Sequence, residues 1–439
     1  MPLLVVLISL LSLAAAQQPL ECSYFYYEGI DELLYTCQLN INNPNGFNNF
    51  TTIGGTHIEG KTNQDVQLIF TGSGITTNVP SIICATFPNL IRMELYELGI
   101  KAIADSSYRT CSRVTEINLT GNQITSISAN AFVQLPGLIS IVLERNLLTT
   151  LPENVFAKQQ NLQWLYMGNN PYKRIPSGLF RPLQNLGVLY IGNANLDAID
   201  SQWFLTNSRI YELYLAGNRI KDVTGSFTGL QGLTYLTLTE NRIRKIPTGT
   251  FTRTPNLNTL YIANNNLTEL RQDSFPNLSQ LTSLDISNNP IGVIYNGAFR
   301  GLSALTSLTL SSCSINRLES NSFHGLQQLV SLALSSNRID VLPTAVFSPM
   351  PSLNYIGLYG NRLSVLHVRS FGILSSLKTF DLTQNTINAI DKRIIDRATT
   401  LNTLYFVGNR CASNNYEDYS NKRREYSVTL ATCFGNYLA

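Results

Sequence analysis

The chain has 439 residues, a length that predicts about three domains at the usual size of roughly 150 residues each. Apolar residues make up 44% of it and charged residues 13%, a composition that excludes intrinsic disorder. The formal net charge of +3 gives no sign of the basic patch that nucleic-acid-binding proteins present. The seven cysteines are an odd number, which any disulfide scheme has to explain.

The N-terminus has the features of a secretory signal peptide. An uncharged apolar stretch runs from Leu3 to Ala16 and ends in three alanines, the pattern of a cleaved leader. It is shorter than the roughly 20 residues that a membrane-spanning helix needs. No later segment is long and apolar enough to span, and the C-terminus lacks the apolar tail that precedes a lipid anchor. We therefore expect residues 1–16 to be removed and the mature protein to be secreted into an oxidising, extracellular setting.

One repeat register runs along most of the chain. The segment Val114–Ile124 has the form LxxLxLxxNxL with conservative replacements. Its asparagine position, here called the ladder position, recurs at steps of 23 to 25 residues. The ladder positions are 73, 98, 122, 146, 170, 194, 218, 241, 265, 289, 313, 337, 361, 385 and 409, and eleven of them hold Asn. So long a register excludes chance and predicts a repeat solenoid.

Each position of the repeat has a physical role. The LxL segment is a short strand whose leucines face one side, and stacked strands form a continuous parallel sheet. The ladder Asn can bond backbone groups of neighbouring repeats, which would cost about 1–3 kcal/mol each if they were buried unpaired. A Phe follows most ladder positions by ten residues and is predicted to pack inward: Phe132, Phe156, Phe180, Phe204, Phe251, Phe275, Phe299, Phe323, Phe347 and Phe371.

These repeats resemble the 24-residue class of extracellular leucine-rich repeats, found in Toll-type receptor ectodomains, slit-like guidance proteins and secreted arthropod immune proteins. The resemblance covers residues 66–410. It implies an α/β repeat solenoid, a horseshoe of about 15 repeats with a concave parallel β-sheet, an irregular or short-helical convex side and disulfide caps. The expected domains are a signal peptide (1–16), an N-terminal cap (17–65), the solenoid (66–410) and a C-terminal cap (411–439).

Six of the seven cysteines can be paired by position. Cys22 and Cys37 flank the segment before the first repeat, and Cys411 and Cys433 flank the segment after the last, so each pair is predicted to close a cap. Cys84 and Cys111 follow adjacent ladder positions by eleven and thirteen residues, which predicts a third disulfide between neighbouring repeats. Cys313 occupies a ladder position itself. We interpret it as a buried structural thiol, with a reactive or intermolecular cysteine as the alternative.

No motif indicates catalysis. Residues 55–62 match the phosphate-loop pattern GxxxxGK[ST], but no helix is expected to follow them, so we interpret the match as a structural turn. The histidines His57, His324 and His367 lie at unlike offsets on different repeats, and the sequence contains no HExxH or CxxC spacing. The sequence therefore predicts a protein that is not an enzyme and that uses no cofactor and no metal.

Four sequons predict N-linked glycosylation, at Asn49, Asn118, Asn266 and Asn277. We expect Asn266 on a turn and Asn277 on a return arm, where a glycan would be exposed. Asn118 lies between two inward-facing strand residues and should project from the concave sheet. A glycan there would cover that part of the concave face.

The concave face offers the clearest candidate binding surface. Residues that alternate with the strand leucines should face solvent, and adjacent repeats are about 4.8 Å apart. Tyr and Trp are favoured at binding hot spots because they combine a large area with a polar group. Six such residues form one predicted patch over five repeats: Trp164, Tyr166, Tyr190, Tyr214, Tyr235 and Tyr261. The alternative is that these tyrosines only reflect strand propensity and contact their neighbours.

The repeats from Ser283 to Ser335 place small polar residues on the concave face and are interpreted as a spacer or rim. Two other regions are weaker candidates for binding. The first is a smaller aromatic group at Tyr355, Tyr359 and Tyr405. The basic segment 422–424 is interpreted as a solvated loop, with contact to an anionic ligand as the alternative.

These features predict a secreted, non-enzymatic binding protein that recognises an extracellular protein or glycan through its concave face. The resemblance implies innate-immune recognition or extracellular signalling as the process. No nucleic-acid partner and no membrane span are expected, and the sequence leaves the oligomeric state open. The alternative function is that of an adhesion or extracellular-matrix protein, or of a non-catalytic subunit of a secreted complex.

Overall fold

The computed structural model describes residues 20–28, 33–41, 52–74, 76–272 and 274–438. The predicted signal peptide and the sequon at Asn49 lie outside these residues. The chain divides into two compact units, an N-terminal unit (Met1–Asn195) and a C-terminal unit (Leu196–Ala439).

In the N-terminal unit, each repeat contributes one short strand to a sheet. The strands are β1 (Leu20–Glu28), β2 (Leu33–Ile41), β3 (Ile53–Gly54), β4 (Leu68–Gly74), β5 (Arg92–Glu94), β6 (Ala102–Ile103), β7 (Glu116–Asn118), β8 (Ser126–Ile127), β9 (Ser140–Val142), β10 (Trp164–Tyr166) and β11 (Val188–Tyr190). The main sheet has the order β3-β1-β2-β4-β5-β7-β9-β10-β11 and is parallel except for the β1–β2 hairpin. Strands β6 and β8 form a separate parallel pair, and the one α-helix in the described part of this unit is α1 (Ile83–Thr86).

The C-terminal unit repeats this plan. Its strands are β12 (Glu212–Tyr214), β13 (Tyr235–Thr237), β14 (Thr259–Tyr261), β15 (Ser283–Asp285), β16 (Val293–Ile294), β17 (Ser307–Thr309), β18 (Arg317–Leu318), β19 (Ser331–Ala333), β20 (Tyr355–Gly357), β21 (Val365–Leu366), β22 (Thr379–Asp381), β23 (Ala389–Ile390), β24 (Thr403–Tyr405) and β25 (Asn415–Tyr416). The main sheet runs β12-β13-β14-β15-β17-β19-β20-β22-β24 in parallel, and β25 ends it antiparallel. The helices are α2 (Lys392–Arg397), α3 (Tyr419–Thr429) and α4 (Ala431–Leu438). The leucine-rich-repeat solenoid architecture expected from the sequence is confirmed.

The ladder asparagines connect neighbouring repeats by hydrogen bonds to their backbone groups, as predicted. Asn122 is typical: its Oδ1 accepts from the backbone N–H groups of Leu98 (2.9 Å) and Ile100 (3.1 Å). Its Nδ2 donates to the carbonyl groups of Leu95 (2.8 Å) and Leu119 (2.9 Å). All eleven ladder asparagines are buried. One side chain thus satisfies backbone groups of two repeats that water cannot reach.

The phenylalanines pack as a second ladder inside the solenoid. Phe132 and Phe156 stack with ring centroids 5.9 Å apart in the N-terminal unit, and Phe299 and Phe323 do the same in the C-terminal unit. Two rings that the sequence analysis did not assign to this column, Tyr108 and Phe227, are also fully buried, and each stacks on the next phenylalanine along the chain. The predicted inward packing of the phenylalanines is confirmed.

Three disulfides join the pairs that the sequence predicts. The Cα–Cα distances are 5.2 Å for Cys22–Cys37, 5.0 Å for Cys84–Cys111 and 5.0 Å for Cys411–Cys433. Cys313 is buried in the ladder, where its Sγ lies 3.3 Å from the carbonyl oxygen of Ile286. Its environment therefore matches the interpretation as a structural thiol.

The basic segment 422–424 is helical, so its interpretation as a loop was wrong, although the side chains of Lys422 and Arg424 are exposed as expected. It lies in α3, where Arg423 reaches across to the end of α2. The Arg423 guanidinium donates to the carbonyl oxygens of Ile395 (2.8 Å) and Ala398 (2.7 Å) and lies over the Tyr419 ring. These carbonyls belong to the last turn and C-cap of α2, where a helix leaves acceptors unpaired, so Arg423 is a cap that holds α3 against α2.

Candidate functional site

The first aromatic group lies on the face of the N-terminal sheet that points away from the buried leucines, here called the outward face. Trp164 and Tyr166 project from β10 and Tyr190 from β11, because alternate strand residues point to opposite faces. The strand register sets Tyr166 opposite Tyr190, and their ring centroids are 6.4 Å apart. All three side chains are half-buried. We call these three residues the Trp164 cluster.

A glycine gives Tyr190 its place. A Cβ atom added to Gly168 would collide with the Tyr190 ring, and it would lie 2.8 Å from the carbonyl oxygen of Gly192. The ring therefore occupies space that only a glycine leaves open. Gly168 is not recognisable as a binding residue from its type, and its signal in the sequence is a missing side chain on the same face, two residues after Tyr166.

Val188 alternates with the strand leucines and was therefore expected to face solvent, and this was wrong. It is 5% exposed. Its register partner on β10 is Trp164, so the largest side chain of the cluster stands beside it and shields it from water.

The second aromatic group lies on the outward face of the C-terminal sheet. Tyr214, Tyr235 and Tyr261 project from β12, β13 and β14, and we call them the Tyr235 cluster. The Tyr235 ring centroid lies 5.0 Å from that of Tyr214 and 5.7 Å from that of Tyr261, the second pair edge to face. Such tilted and edge-on pairs are the arrangements that aromatic quadrupoles prefer. The three rings are half-buried and lie on consecutive strands.

Thr237 is a second residue whose expected exposure was wrong, since it is 7% exposed. Its register partners on the two flanking strands are Tyr214 and Tyr261. A small residue between two tyrosines is covered by their rings, so alternation along one strand alone overstates its exposure.

Carboxylates near both clusters hydrogen-bond a tyrosine hydroxyl or raise a tyrosine pKa. The Tyr214 hydroxyl donates to Glu212 at 2.8 Å, a contact that was not assigned from the sequence. Burial raises the pKa of Tyr190, and the nearby Glu144 carboxylate raises it further, while Arg145 acts in the opposite direction. Burial also raises the pKa of Tyr235, with smaller contributions from Tyr261 and Glu212. These two phenols stay protonated at neutral pH, so they offer uncharged hydrogen-bonding groups to a partner.

The six residues of the expected patch thus lie in two clusters, three residues in each unit. Tyr166 pairs with Tyr190, and Tyr235 contacts both Tyr214 and Tyr261, which is the contact that the alternative interpretation requires. Each ring nevertheless keeps part of its surface open to solvent. The geometry combines immobilised aromatic rings with accessible faces, the property that lowers the entropy cost of binding.

The phosphate-loop pattern does not build a phosphate site. A single 3-10 turn (Asn63–Asp65) follows it, because Thr62 and Asp65 form a capping box. The Asp65 carboxylate accepts from the Thr62 backbone N–H at 2.9 Å and from the Lys61 ammonium at 3.0 Å. The Asp65 carboxylate thus already accepts the hydrogen bonds of the backbone amide and the lysine that a phosphate would need.

Two of the histidines have structural partners. His57 stacks on Tyr24, with its Nδ1 3.1 Å from the Tyr35 hydroxyl and its Nε2 2.8 Å from Asn63 Oδ1. His367 Nδ1 lies 3.1 Å from the Tyr437 hydroxyl of α4. The described residues contain no cluster of three or more side chains suited to bind a metal ion. Over the same residues, no helix combines the length and the apolar character that crossing a bilayer requires.

The three sequons that the structure describes differ in environment. Asn266 and Asn277 are exposed. Asn118 ends β7 and is half-buried, and its Oδ1 accepts from the backbone N–H (3.0 Å) and the hydroxyl (2.6 Å) of Thr120. Occupancy of all four acceptor sites stays a prediction.

Solved structures with the same fold come from several sources. The Drosophila Toll–Spatzle complex aligns with a TM-score of 0.64 at 21% identity, over 83% of this chain and 48% of the matched chain. The APL1 leucine-rich repeat domain aligns with a TM-score of 0.63 at 20% identity, over 87% and 92% of the two chains. The LRIM1/APL1C complex aligns with a TM-score of 0.65 at 17% identity, over 95% and 75%. The chain spans about half the length of the Toll structures that it matches. At identities this low, the structural similarity shows the fold alone.

Sequence comparison gives the family directly. No curated protein sequence matches this chain. The leucine rich repeat family model matches seven overlapping segments that together cover residues 112–410 without a gap, more than half of the chain. This chain therefore belongs to the leucine-rich-repeat family.

Proposed function

We propose that the protein is a secreted, non-enzymatic binding protein that recognises an extracellular protein or glycan through the Trp164 and Tyr235 clusters. The observation that carries this proposal is the state of the six aromatic side chains. All six are half-buried on the face of their sheet opposite the core, and the five tyrosines contact one another within their clusters. Residues facing inward already supply the hydrophobic stabilisation, so the fold does not require aromatic side chains on the outward face.

The fold relatives support a macromolecular partner. The similar structures include complexes of Toll with Spatzle, of LRIM1 with APL1C, and of TLR13 with a single-stranded RNA. The proposed process is innate-immune recognition or extracellular signalling. A protein or glycan is favoured over RNA because the net charge of +3 offers little for a phosphate backbone.

The test combines Tyr190→Ala with Tyr214→Ala, one substitution in each cluster. Hot-spot aromatics contribute about 2 kcal/mol or more each, so capture of the partner from extracellular fluid should weaken by roughly two to three orders of magnitude. The melting temperature should change little because both rings are only half-buried. Tyr211→Ala is the matched control, since Tyr211 is exposed and precedes β12 rather than facing outward from it.

Two outcomes would contradict the proposal. A collapse of the melting temperature would mean that the rings serve packing. Unchanged capture by the double variant would place the partner elsewhere on the molecule. Induction of the protein after microbial challenge separates the immune role from a matrix role, for which constant expression and tight matrix association are expected.

A further inference from the structure

A cavity of about 350 Å³ opens on the outward face of the N-terminal sheet, several strands away from the Trp164 cluster. It is bounded by β1, β4, β5 and the turn after β5. The lining residues are Tyr27, Leu68, Phe70, Arg92, Glu94 and Tyr96. This volume suits a side-chain-sized ligand rather than a whole sugar chain or peptide.

Aromatic rings form much of the cavity wall. Tyr27 and Tyr96 are 44% and 39% exposed, high values for such large side chains. Phe70 is half-buried and held edge to face by Phe25, with ring centroids 5.6 Å apart. The face of an aromatic ring carries partial negative charge and attracts organic cations.

The same cavity contains a carboxylate, that of Glu94, which forms no ion pair with another described residue. Glu94 lies on β5 opposite Phe70 and Asn118 in the strand register. The nearby cation, Arg92, lies in a two-point contact with Glu116, at 2.8 Å for Nε–Oε2 and 3.1 Å for Nη2–Oε1. Within the described residues, no ion pair of 4.0 Å or less involves Glu94.

The electrostatic state of Glu94 fits this geometry. Burial raises the pKa of Glu94 and is the largest cause, although a hydrogen bond with Asn118 and the charge of Arg92 act in the opposite direction. The Glu116 carboxylate raises it further. The ionised carboxylate is therefore under-compensated in the folded chain, and a cation beside it would restore the interactions that burial removed.

We propose that this cavity binds a compact organic cation, a guanidinium or an alkylammonium group, held against the rings of Tyr27 and Tyr96 with Glu94 as its counter-charge. An anion would lie beside the Glu94 carboxylate, and Arg92, the cation in the lining, is already in contact with Glu116. An apolar group would cover the Glu94 carboxylate without pairing it, which is costly. The cation can be a free amine or a side chain of an extracellular protein. The proposal goes beyond the function proposed above and does not depend on the aromatic clusters.

The test uses two probes of nearly equal shape, N-acetyl-arginine amide and its uncharged counterpart N-acetyl-citrulline amide. Each is titrated into the full chain and followed by ligand-observed NMR. The arginine probe should bind saturably and the citrulline probe at least about tenfold more weakly, because only the first carries the charge that the site recognises. Equal binding of the two probes, or no saturable binding of the arginine probe, would overturn the proposal.

Variants locate the binding. Glu94→Gln should weaken the arginine probe at least about tenfold, whereas Glu97→Gln should leave it unchanged, since Glu97 is exposed and lies outside the cavity lining. Tyr96→Ala should weaken binding several-fold, and Tyr96→Phe should retain it because the ring is kept. Equal losses from Glu94→Gln and Glu97→Gln would show a diffuse charge effect and contradict the proposal. The melting temperature of each variant shows that it is folded.

Two further arms complete the test. Binding should weaken as the pH falls through the raised pKa of Glu94, and Glu94→Gln should lose this dependence, whereas Glu116, the other acid near Glu94, remains in the variant. A peptide with a single arginine that binds more tightly than the free probe would identify a protein side chain as the source of the cation. Equal affinity would show that the cavity recognises the guanidinium group alone. Neither outcome bears on the proposed function, which is tested separately by the substitutions of Tyr190 and Tyr214.

Discussion

The tyrosine-bearing strands β12, β13 and β14 differ from the serine-bearing strands β15, β17 and β19 only on their outward face. Inward, both sets carry leucines that are at most 1% exposed: Leu213, Leu236, Leu260, Leu284, Leu308 and Leu332. Outward, the first set carries the Tyr235 cluster and the second carries small polar residues such as Ser283, Ser307 and Ser331. The backbone pairing is parallel and without shifts in both. The inward positions therefore build the solenoid, while the outward positions can carry large aromatic or small polar side chains on the same backbone.

The largest expected effect tests whether the two sets share one scaffold. Asn265 follows β14 and Asn289 follows β15, and both are buried ladder residues that bond backbone groups of two repeats. Asn265→Ala and Asn289→Ala should each lower the free energy of unfolding by about 3 kcal/mol or more, because each leaves several buried backbone groups unpaired. Urea denaturation measures this. Asn256→Ala, which removes one exposed hydrogen bond, is the control. A much smaller loss at one of the two ladder positions would disprove the equivalence.

The next effect separates the sets by function. Tyr235→Ala should weaken partner capture by roughly thirtyfold, the effect of one hot-spot ring, and change the free energy of unfolding by about 1 kcal/mol or less. Ser307→Ala, at the corresponding outward position of β17, should alter neither quantity. Comparable loss of capture from both variants would mean that the serine-bearing strands belong to the binding surface.

Cys313, which follows the serine-bearing strand β17, should make both thiol reactivity and folding stability depend on pH. Burial raises the pKa of the Cys313 thiol from its ordinary 9.0 to about 11. On the order of one folded molecule in a thousand therefore carries the thiolate at pH 8, so iodoacetamide should modify Cys313 only after unfolding in urea. Because the folded thiol holds its proton more tightly than the unfolded thiol, its contribution to stability is present below about pH 9 and is lost as the pH rises from 9 to 11. Rapid labelling of the folded protein at pH 8 would support the alternative of a reactive cysteine.

The smallest effect asks whether a serine-bearing strand accepts a tyrosine. Thr309 on β17 occupies the same strand position as Tyr261 on β14, and it is half-buried. Thr309→Tyr should change the free energy of unfolding by no more than about 0.5 kcal/mol, since outward positions do not contribute to the core. A melting curve measures it, with Leu308→Ala as the contrasting substitution, expected to cost about 2–5 kcal/mol. A large loss from Thr309→Tyr would show that the outward face is constrained by packing.

Much of the scaffold could be predicted because its signals are local and periodic. A ladder Asn or an inward Phe has the same role in each repeat that carries it, so spacing alone identifies it, and the cap cysteines are identified by their places before the first repeat and after the last. The errors arose where neighbouring repeats matter. Val188 and Thr237 alternate correctly along their strands, yet larger rings on adjacent strands cover them. Residues 422–424 are all basic and show no partner in the local sequence, but the acceptors at the end of α2 give Arg423 a partner 25 to 28 residues away in the chain.

The sequence by itself determined the repeat register, the inward core, the ladder and the cysteine pairs, because each of these follows from a residue type at a fixed offset. It also marked the aromatic residues of the two clusters. Only the tertiary structure decided how the rings lean on one another, that Tyr190 needs Gly168 beside it, and that Glu94 shares a cavity with Tyr27 and Tyr96. The physical reason is that the solenoid brings residues about 24 positions apart to neighbouring strands roughly 5 Å apart. The size and direction of those side chains, rather than their spacing, then set the exposure and charge of each site.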